Sequence, residues 1–482
     1  MNKRITKYTI GLIGISIAMI LSACSDWLTL PPENDLIEQK FWQKREDVEG
    51  SLAAMYDAFR DESLKSFVWG EVRADLVTFG TSFGDYQSIA GADITPSNGA
   101  VSWAGYYNTI NLANTLMYFS SQVLEKDRTF TPRMKEAFDA EALFIRSLSY
   151  FYLVRVWKDV PLVLNPTISD TGKLFPRKSS EQVVINQIIQ DLVKAKDMAY
   201  TDEFADNLPY YKGRANKYSI MALLAQVYLW DQQYQKCVDY CDSIEATGKF
   251  DLEPLSTWFN VYSPGNSLKE SLFEIQFNDA LESQENPIYY SMVPLSGSPQ
   301  ITLTKNVATF ITKEDLRNCE NNTPIWKFQG YDLASKRNGA QRDVNFIYLR
   351  YADVVLDKAE ALTELNRLTE ANAKVREIAE RAGMSHIDAV VKEDLRKAIL
   401  DERAREFVLE GKRWFDLLRA AKRNHFEKKQ IIIEMILAAA TDIQQQAILK
   451  TKVFDTMSYY LPIPEDDILY NQNLEQNPFY DR

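Results

Sequence analysis

Two cysteines one helical turn apart, Cys237 and Cys241, have a spacing that suggests chemistry, because ligands at i and i+4 can face one metal ion. The chain offers only His386 and His425 to complete such a site, and neither lies near the pair in sequence. Both cysteines are therefore expected to pack in the core as small hydrophobes, and no metal or other cofactor is predicted. A second candidate is the dense run of charge from Asp401 through Glu402, Arg403, Glu406 and Glu410 to Arg419. Asp401 with Arg405, and Glu410 with Arg413, stand at helical spacing and are predicted to pair on one face, which makes this a salt-bridge network and not a catalytic cluster. Neither H-E-x-x-H nor G-x-x-x-x-G-K-[ST] occurs, which removes zincin and P-loop readings. Paired carboxylates for glycoside cleavage leave no such signature, since the fold sets their separation.

The third reactive position is Cys24. Lys3, Arg4 and Lys7 precede an apolar stretch over residues 10–21, too short for a bilayer span of about 20 residues but right for the centre of an export signal. Leu21-Ser22-Ala23-Cys24 then has the form of a bacterial lipobox, with small residues before the cut and a thiol to take the lipid. Residues 1–23 are read as a signal peptide and Cys24 as the lipidated first residue of the mature chain. That leaves Cys237, Cys241 and Cys319, an odd number that predicts no disulfide framework.

These residues need elements to position them. The 482-residue chain is 46% hydrophobic, enough for a large buried core, and its formal charge of −12 argues against nucleic acid as a ligand. From about Arg45 onward the pattern is helical: Val48, Leu52, Met55, Tyr56 and Phe59 repeat at helix spacing, as do Ile185, Ile188, Leu192 and Ala195, and Thr131-Pro132 opens a long run to Trp157. A shift of 134 positions lays Ala225 on Ala359, Tyr228 on Leu362, Cys237 on Ala371, Cys241 on Val375 and Ile244 on Ile378. Recurrence of small and large residues at the same offsets predicts two tetratricopeptide-like helix pairs. Between them, residues 250–345 are rich in Pro, Asn, Ser and aromatics and form a long irregular insertion. A second irregular aromatic stretch covers residues 77–103. The last segment, 457–482, carries Pro462, Pro464 and Pro478 and is predicted to be an extended strap without helix. The fold class is all-α, mostly helical, with helix pairs interrupted by this insertion.

Five blocks along the mature chain resemble the SusD/RagB family. They are Cys24-Ser25-Asp26-Trp27-Leu28 with Pro31-Pro32; Arg146, Tyr150, Trp157, Val160 and Pro161; Gly213-Arg214-Ala215; Leu349-Arg350-Tyr351-Ala352-Asp353 with Ala359-Glu360-Ala361, Glu402-Arg403, Glu406, Glu410-Gly411-Lys412-Arg413-Trp414 and Asp416-Leu417; and Leu461-Pro462-Ile463-Pro464 with Gln476-Asn477-Pro478. The helix-like stretch 431–454 departs from that pattern and has no role assigned by it. The resemblance implies one domain over residues 24–482 with four tetratricopeptide-like pairs, anchored by lipid at the outer membrane, on the cell surface of a Gram-negative bacterium. It further implies a TonB-dependent barrel, SusC-like, as partner, and no catalysis.

For ligand contact the irregular aromatic segments are the best candidates. A pyranose ring can lay its C–H face on an aromatic ring while its hydroxyls meet carboxylate, amide or guanidinium groups. Tyr289, Tyr290, Trp326 and Tyr331 are predicted as the platform, with Arg73, Asp75 and Asn286 as polar partners. Trp103, ahead of Tyr107, Ile110 and Ala113, is expected in the core. The expected function is capture of an oligosaccharide for import; the alternatives are peptide cargo, a protein-binding scaffold and a secreted glycosidase. Replacing Cys24 by Ser is expected to abolish labelling by radioactive palmitate, and a Cys24→Ser chain that kept the label would end the lipoprotein assignment.

Overall fold

The long helices form where apolar spacing and capping residues agree. In this computed structural model the described residues are 41–80, 84–168, 175–262, 267–278, 280–281, 285–292, 299–318, 326–330, 335, 343–438 and 443–481. Residues 1–23, read above as a signal peptide, and Cys24, Cys319 and Tyr331 lie outside them. Helix α1 (Arg45–Asp61) buries Val48, Leu52, Met55 and Phe59 along one stripe. It packs on α2 (Ala104–Lys126), which packs on α3 (Pro132–Trp157). Thr131 caps α3 by accepting a hydrogen bond from the Met134 amide, and Pro132 fills its first turn, where a missing N–H costs nothing. From Ala137 to its end every residue of α3 is buried, so this helix runs through the middle of the molecule.

The succession continues through α4 (Glu181–Met198), α5 (Lys217–Trp230), α6 (Tyr234–Glu245), α7 (Tyr351–Glu364), α8 (Leu368–Arg381), α9 (Lys392–Phe407) and α10 (Arg413–Phe426), each packed on the one before it. The pairs α5–α6 and α7–α8 keep the predicted 134-residue register down to their turns. Gln232 and Asn366 occupy equivalent places and both take left-handed backbone, φ 57° and 60°. The flanking bonds also match, with Gln233 N to Tyr228 O and Arg367 N to Leu362 O both 2.9 Å. Cys237 and Cys241 are fully buried where α6 meets α7, and the Cys237 thiol lies 3.7 Å from the Asp357 carbonyl oxygen.

The insertion leaves and rejoins the helices at a small sheet. Strand β4 (Ser271–Ile275) pairs antiparallel with β6 (Phe346–Arg350), and β6 runs straight into α7. Four further short strands are β1 (Val77–Phe79), paired with β5 (Ile301–Leu303), and β2 (Val160–Pro161), paired with β3 (Lys178–Ser179). The stretch without an assigned role forms α11 (Gln430–Ala438) and α12 (Ile443–Lys452).

Two expectations are corrected. The strap is not wholly extended, because Glu465–Tyr470 forms a short helix, α13. Pro464 sits at its N-cap with φ −52° and Glu465, Asp466 and Asp467 fill its first turn, where carboxylates suit the helix dipole. The charged block is a salt-bridge network, but its pairs differ from those predicted. Asp401 meets Lys397 (2.5 Å), Arg405 meets Glu402 (2.6 Å), and Arg413 meets Asp75 (2.9 Å). The reason is the turn after α9, where Leu409 (φ 68°) and Gly411 (φ 72°) break the helical register, so Glu410 and Arg413 share no helix face.

Glu410 instead joins a buried cluster. Arg350, fully buried, bonds to Glu270, to Glu406 (2.8 Å) and to Glu410 (2.9 Å). Arg317 bonds to Asp315 (2.7 Å), Glu402 (2.8 Å) and Glu406 (2.8 Å), and Lys327 to Glu410 (2.7 Å). Removing one member strands its partners as unpaired buried charges, which costs about 3–5 kcal/mol. Arg350→Met is expected to lose that much stability in guanidinium unfolding, and a loss below about 1 kcal/mol would remove the cluster from its structural role.

Candidate functional site

The two irregular aromatic segments are far apart in sequence but lie side by side in the fold. Val77 faces Leu303 and Phe79 faces Ile301 across the β1–β5 pair. The Gly80 amide donates to the Gln300 carbonyl (2.7 Å) and the Gln300 amide to the Ser291 carbonyl (2.8 Å), which ties in the short helix Pro287–Met292. Asn286 caps that helix. Its Oδ1 accepts from the amides of Ile288 (2.9 Å) and Tyr289 (3.2 Å), while its Nδ2 donates to the Val344 carbonyl (2.6 Å). Two adjacent tyrosines of this helix then have opposite fates: Tyr289 is 1% exposed and Tyr290 is 38% exposed. Tyr86, half-buried, packs on Phe79 with ring centroids 4.7 Å apart.

The structure therefore brings Tyr290 and the β1 segment onto one face but does not gather the whole predicted set there. Asp75 is turned toward Arg413. Arg73 is buried against the Trp414 ring, 4.2 Å from its centroid, and lines a different cavity. Trp326 begins the four-residue helix Trp326–Gln329. The pentapeptide Gly80-Thr81-Ser82-Phe83-Gly84 has the G-x-S-x-G form of a hydrolase elbow. The strand before it, β1, is three residues long and belongs to a two-stranded antiparallel sheet, whereas an elbow is built on the central parallel sheet of an α/β hydrolase.

An aromatic cleft of about 410 Å³ stands elsewhere, and sequence reasoning missed it. Trp103 and Tyr107 form its floor, with ring centroids 5.6 Å apart at 79°. Trp103 is core-like in burial, as expected, yet it also lines this opening. The walls carry Phe175, 54% exposed, and Tyr470, 75% exposed. Polar groups sit at the edge: Asn111, Asp467 and Asn471. Partial burial raises the Asp467 carboxyl above the ordinary aspartate range, with the Trp103 indole opposing the shift. The walls are pinned to each other, because Asn471 donates to the Pro176 carbonyl (2.9 Å) and Asn473 to the Phe175 carbonyl (3.0 Å). The Tyr107 hydroxyl donates to the Pro161 carbonyl (2.8 Å) and fixes the third side. The available signals were Phe175-Pro176 and Tyr470-Asn471, aromatic residues in segments too polar to be core.

A larger groove of about 520 Å³ runs between α9 and α11, but its charges neutralise one another. Arg396 pairs with Glu364 (2.6 Å), Lys428 with Glu393 (3.0 Å) and Arg413 with Asp75. Open aromatic walls with few polar groups fit a ligand pocket better than a self-paired charged surface.

Comparison with known proteins agrees with this architecture. Residues 220–480 match the model of the SusD family, and residues 26–229 match a model described as "Starch-binding associating with outer membrane". A SusD-like protein of Formosa agariphila is 26% identical over 467 residues, covering 84% of this chain and 89% of its own. A SusD-like protein of Bacteroides ovatus is also 26% identical, over 83% of this chain and 80% of its own. Among solved structures, a SusD superfamily protein of Bacteroides vulgatus superposes with a TM-score of 0.75 at 20% identity, over 91% of this chain and all of that one. A laminarin-binding SusD-like protein superposes with a TM-score of 0.70 at 21% identity, over 90% and 99%.

The exposed rings can be told from the buried one by stability alone. Phe175→Ala and Tyr470→Ala are expected to unfold in urea within about 0.5 kcal/mol of the parent. Tyr289→Ala removes a fully buried ring and is expected to cost about 3–5 kcal/mol.

Proposed function

The chain belongs to the SusD family, and from that premise we propose that it captures oligosaccharides at the outer membrane and hands them to a TonB-dependent, SusC-like barrel for import. The observation that carries this reading is the rigid aromatic cleft, in which Phe175 and Tyr470 hold large apolar faces in water beside Asn111, Asp467 and Asn471. Exposed rings of this kind suit the C–H face of a pyranose, and the amide and carboxyl groups suit its hydroxyls. The aromatic face around Tyr290 offers a second contact for a longer chain, with Trp326 and Tyr331 as further proposed contacts; Asn286 and the buried Tyr289 support that region from within, whereas Arg73 and Asp75 face Trp414 and Arg413. The name of the laminarin-binding relative favours a glycan over a peptide as cargo.

In this reading residues 1–23 direct export, Cys24 carries the lipid, and residues 24–482 form one binding domain without catalytic activity. No helix among the described residues is long and apolar enough to cross a membrane.

Titration calorimetry of the mature chain against laminari-oligosaccharides and a peptide library tests the proposal. Oligosaccharide binding is expected, and Tyr470→Ala is expected to weaken it about two- to tenfold, since a stacked aromatic contact contributes about 0.5–1.5 kcal/mol. Loss in Tyr290→Ala with Tyr470→Ala unchanged would move the primary site to the other face. Binding of peptide alone, or product formed on long incubation, would overturn the assignment as a glycan receptor.

A further inference from the structure

Arg73 closes the short π-helix Val68–Val72 and is 6% exposed, so its cation is almost wholly withdrawn from water. Its only hydrogen bond among the described residues runs from Nη2 to the Ser458 carbonyl at 3.2 Å, and its guanidinium lies 4.2 Å from the centroid of the Trp414 ring. No carboxylate among the described residues pairs with it. Asp75, two positions on, is engaged by Arg413, and Lys452, which lines the same cavity, pairs with Asp93 at 3.1 Å. Burial lowers the pKa of the guanidinium to about 10, with the Tyr480 and Tyr460 hydroxyls facing it, so it stays cationic at neutral pH. A buried charge without a counter-charge is costly enough that proteins supply a partner.

The cavity beside Arg73 is about 30 Å³, lined by Trp414, Ser458, Tyr480, the segment from Ala90 to Ala92, and apolar side chains of α11 and α12. Three buried atoms on its lining residues have no hydrogen-bond partner among the described residues: Arg73 Nη1, Trp414 Nε1 and Ser458 Oγ. The first two can only donate, and the hydroxyl is free to donate as well. What fits must therefore accept hydrogen bonds, carry negative charge and be no larger than one or two waters, which excludes a sugar ring.

We propose that this cavity binds one small monoanion, chloride or a carboxylate of formate size, held by Arg73, Trp414 and Ser458. The anion joins the π-helix to Ser458 in the strap and to the α11–α12 layer, which gives those two helices a place in the fold. The proposal does not depend on the glycan reading, because it makes no use of the cleft.

Two measurements on the full mature chain test it. In calorimetric scans at constant ionic strength, replacing gluconate by chloride or by formate is expected to raise the melting temperature along a one-site saturation curve. The chloride and formate arms separate a spherical from a planar ligand, and a rise in either supports the site. Ser458→Ala is expected to shift the curve to higher anion concentration, and Arg73→Met to abolish it. In crystals soaked in bromide, an anomalous peak is expected between Arg73 Nη1, Trp414 Nε1 and Ser458 Oγ; this readout needs no variant to fold. Superimposable melting curves in all three salts, with only an ordered water at that position, would overturn the proposal.

Discussion

Arg350 carries the constraint on which the rest of this molecule depends. It is the last residue of β6 and the N-cap of α7, so it marks the point where the long insertion returns to the helices. Glu270, one residue before β4, meets it from the other end of that insertion, and Glu406 and Glu410 meet it from the end of α9 and the following turn. The insertion buries Trp258, Phe259, Tyr262 and Phe273 in the core, and the charge cluster fixes where its two ends meet the helices. Burial acts alike on all these acids but the outcome differs. At Glu270 burial, helped by repulsion from Glu406, outweighs Arg381 and Arg350 and leaves the carboxyl raised. On Glu406 burial is more than offset by Arg381, Arg350 and Arg317, which hold the carboxyl well below its ordinary range. The cluster is therefore centred on Glu406, and Arg317 and Lys327 extend it into the insertion.

A second joint shares the same turn. Gly70 packs so close to Gly411 that a Cβ would sit 1.8 Å from the Gly411 carbonyl oxygen, and Gly411 itself has left-handed backbone at φ 72°. Beside it, Glu71 accepts hydrogen bonds from the amides of Leu409 (2.9 Å), Gly411 (3.0 Å) and Lys412 (3.2 Å). Burial pushes the Glu71 carboxyl up to about 7 even though these donors oppose the shift. The turn from Leu409 to Lys412 thus holds the insertion through Glu410 and the π-helix through its amides. The π-helix ends at Val72, so the same joint fixes where Arg73 and Asp75 diverge, one toward Trp414 and the other toward Arg413.

What the sequence made legible follows from range. Helices depend on contacts three or four residues apart, so the stripes of α1 and α4, the Thr131-Pro132 start and the 134-residue register of the two helix pairs could all be read locally. Salt bridges at equal spacing look the same, but two left-handed residues in the turn after α9 sent Glu410 and Arg413 to different partners. Tyr289 and Tyr290 were indistinguishable because in a one-and-a-half-turn helix adjacent residues point apart, and only the helix's seat decides which is buried. The cleft was illegible for a stronger reason. Its floor comes from the start of α2, one wall from the chain near Phe175 and the other from α13, three segments with no shared pattern.

The strap shows why those three segments are held so firmly. The Trp157 indole donates to the Pro462 carbonyl (2.7 Å), the Leu461 amide to the Val156 carbonyl (2.8 Å) and the Glu465 amide to the Pro96 carbonyl (3.1 Å). Each bond joins the strap to the end of α3 or to the chain before α2, and α3 is wholly buried from Ala137 to its end. Tyr470 is thus open to solvent on a support anchored in the core. Ordering a loop on binding consumes part of the binding free energy, about 0.5–1.5 kcal/mol for each immobilised side chain. A site whose walls are already fixed escapes that cost and retains more of each weak stacking contact. The hydrogen bonds beneath the cleft, and not the rings alone, therefore decide how much of a stacking contact it can keep.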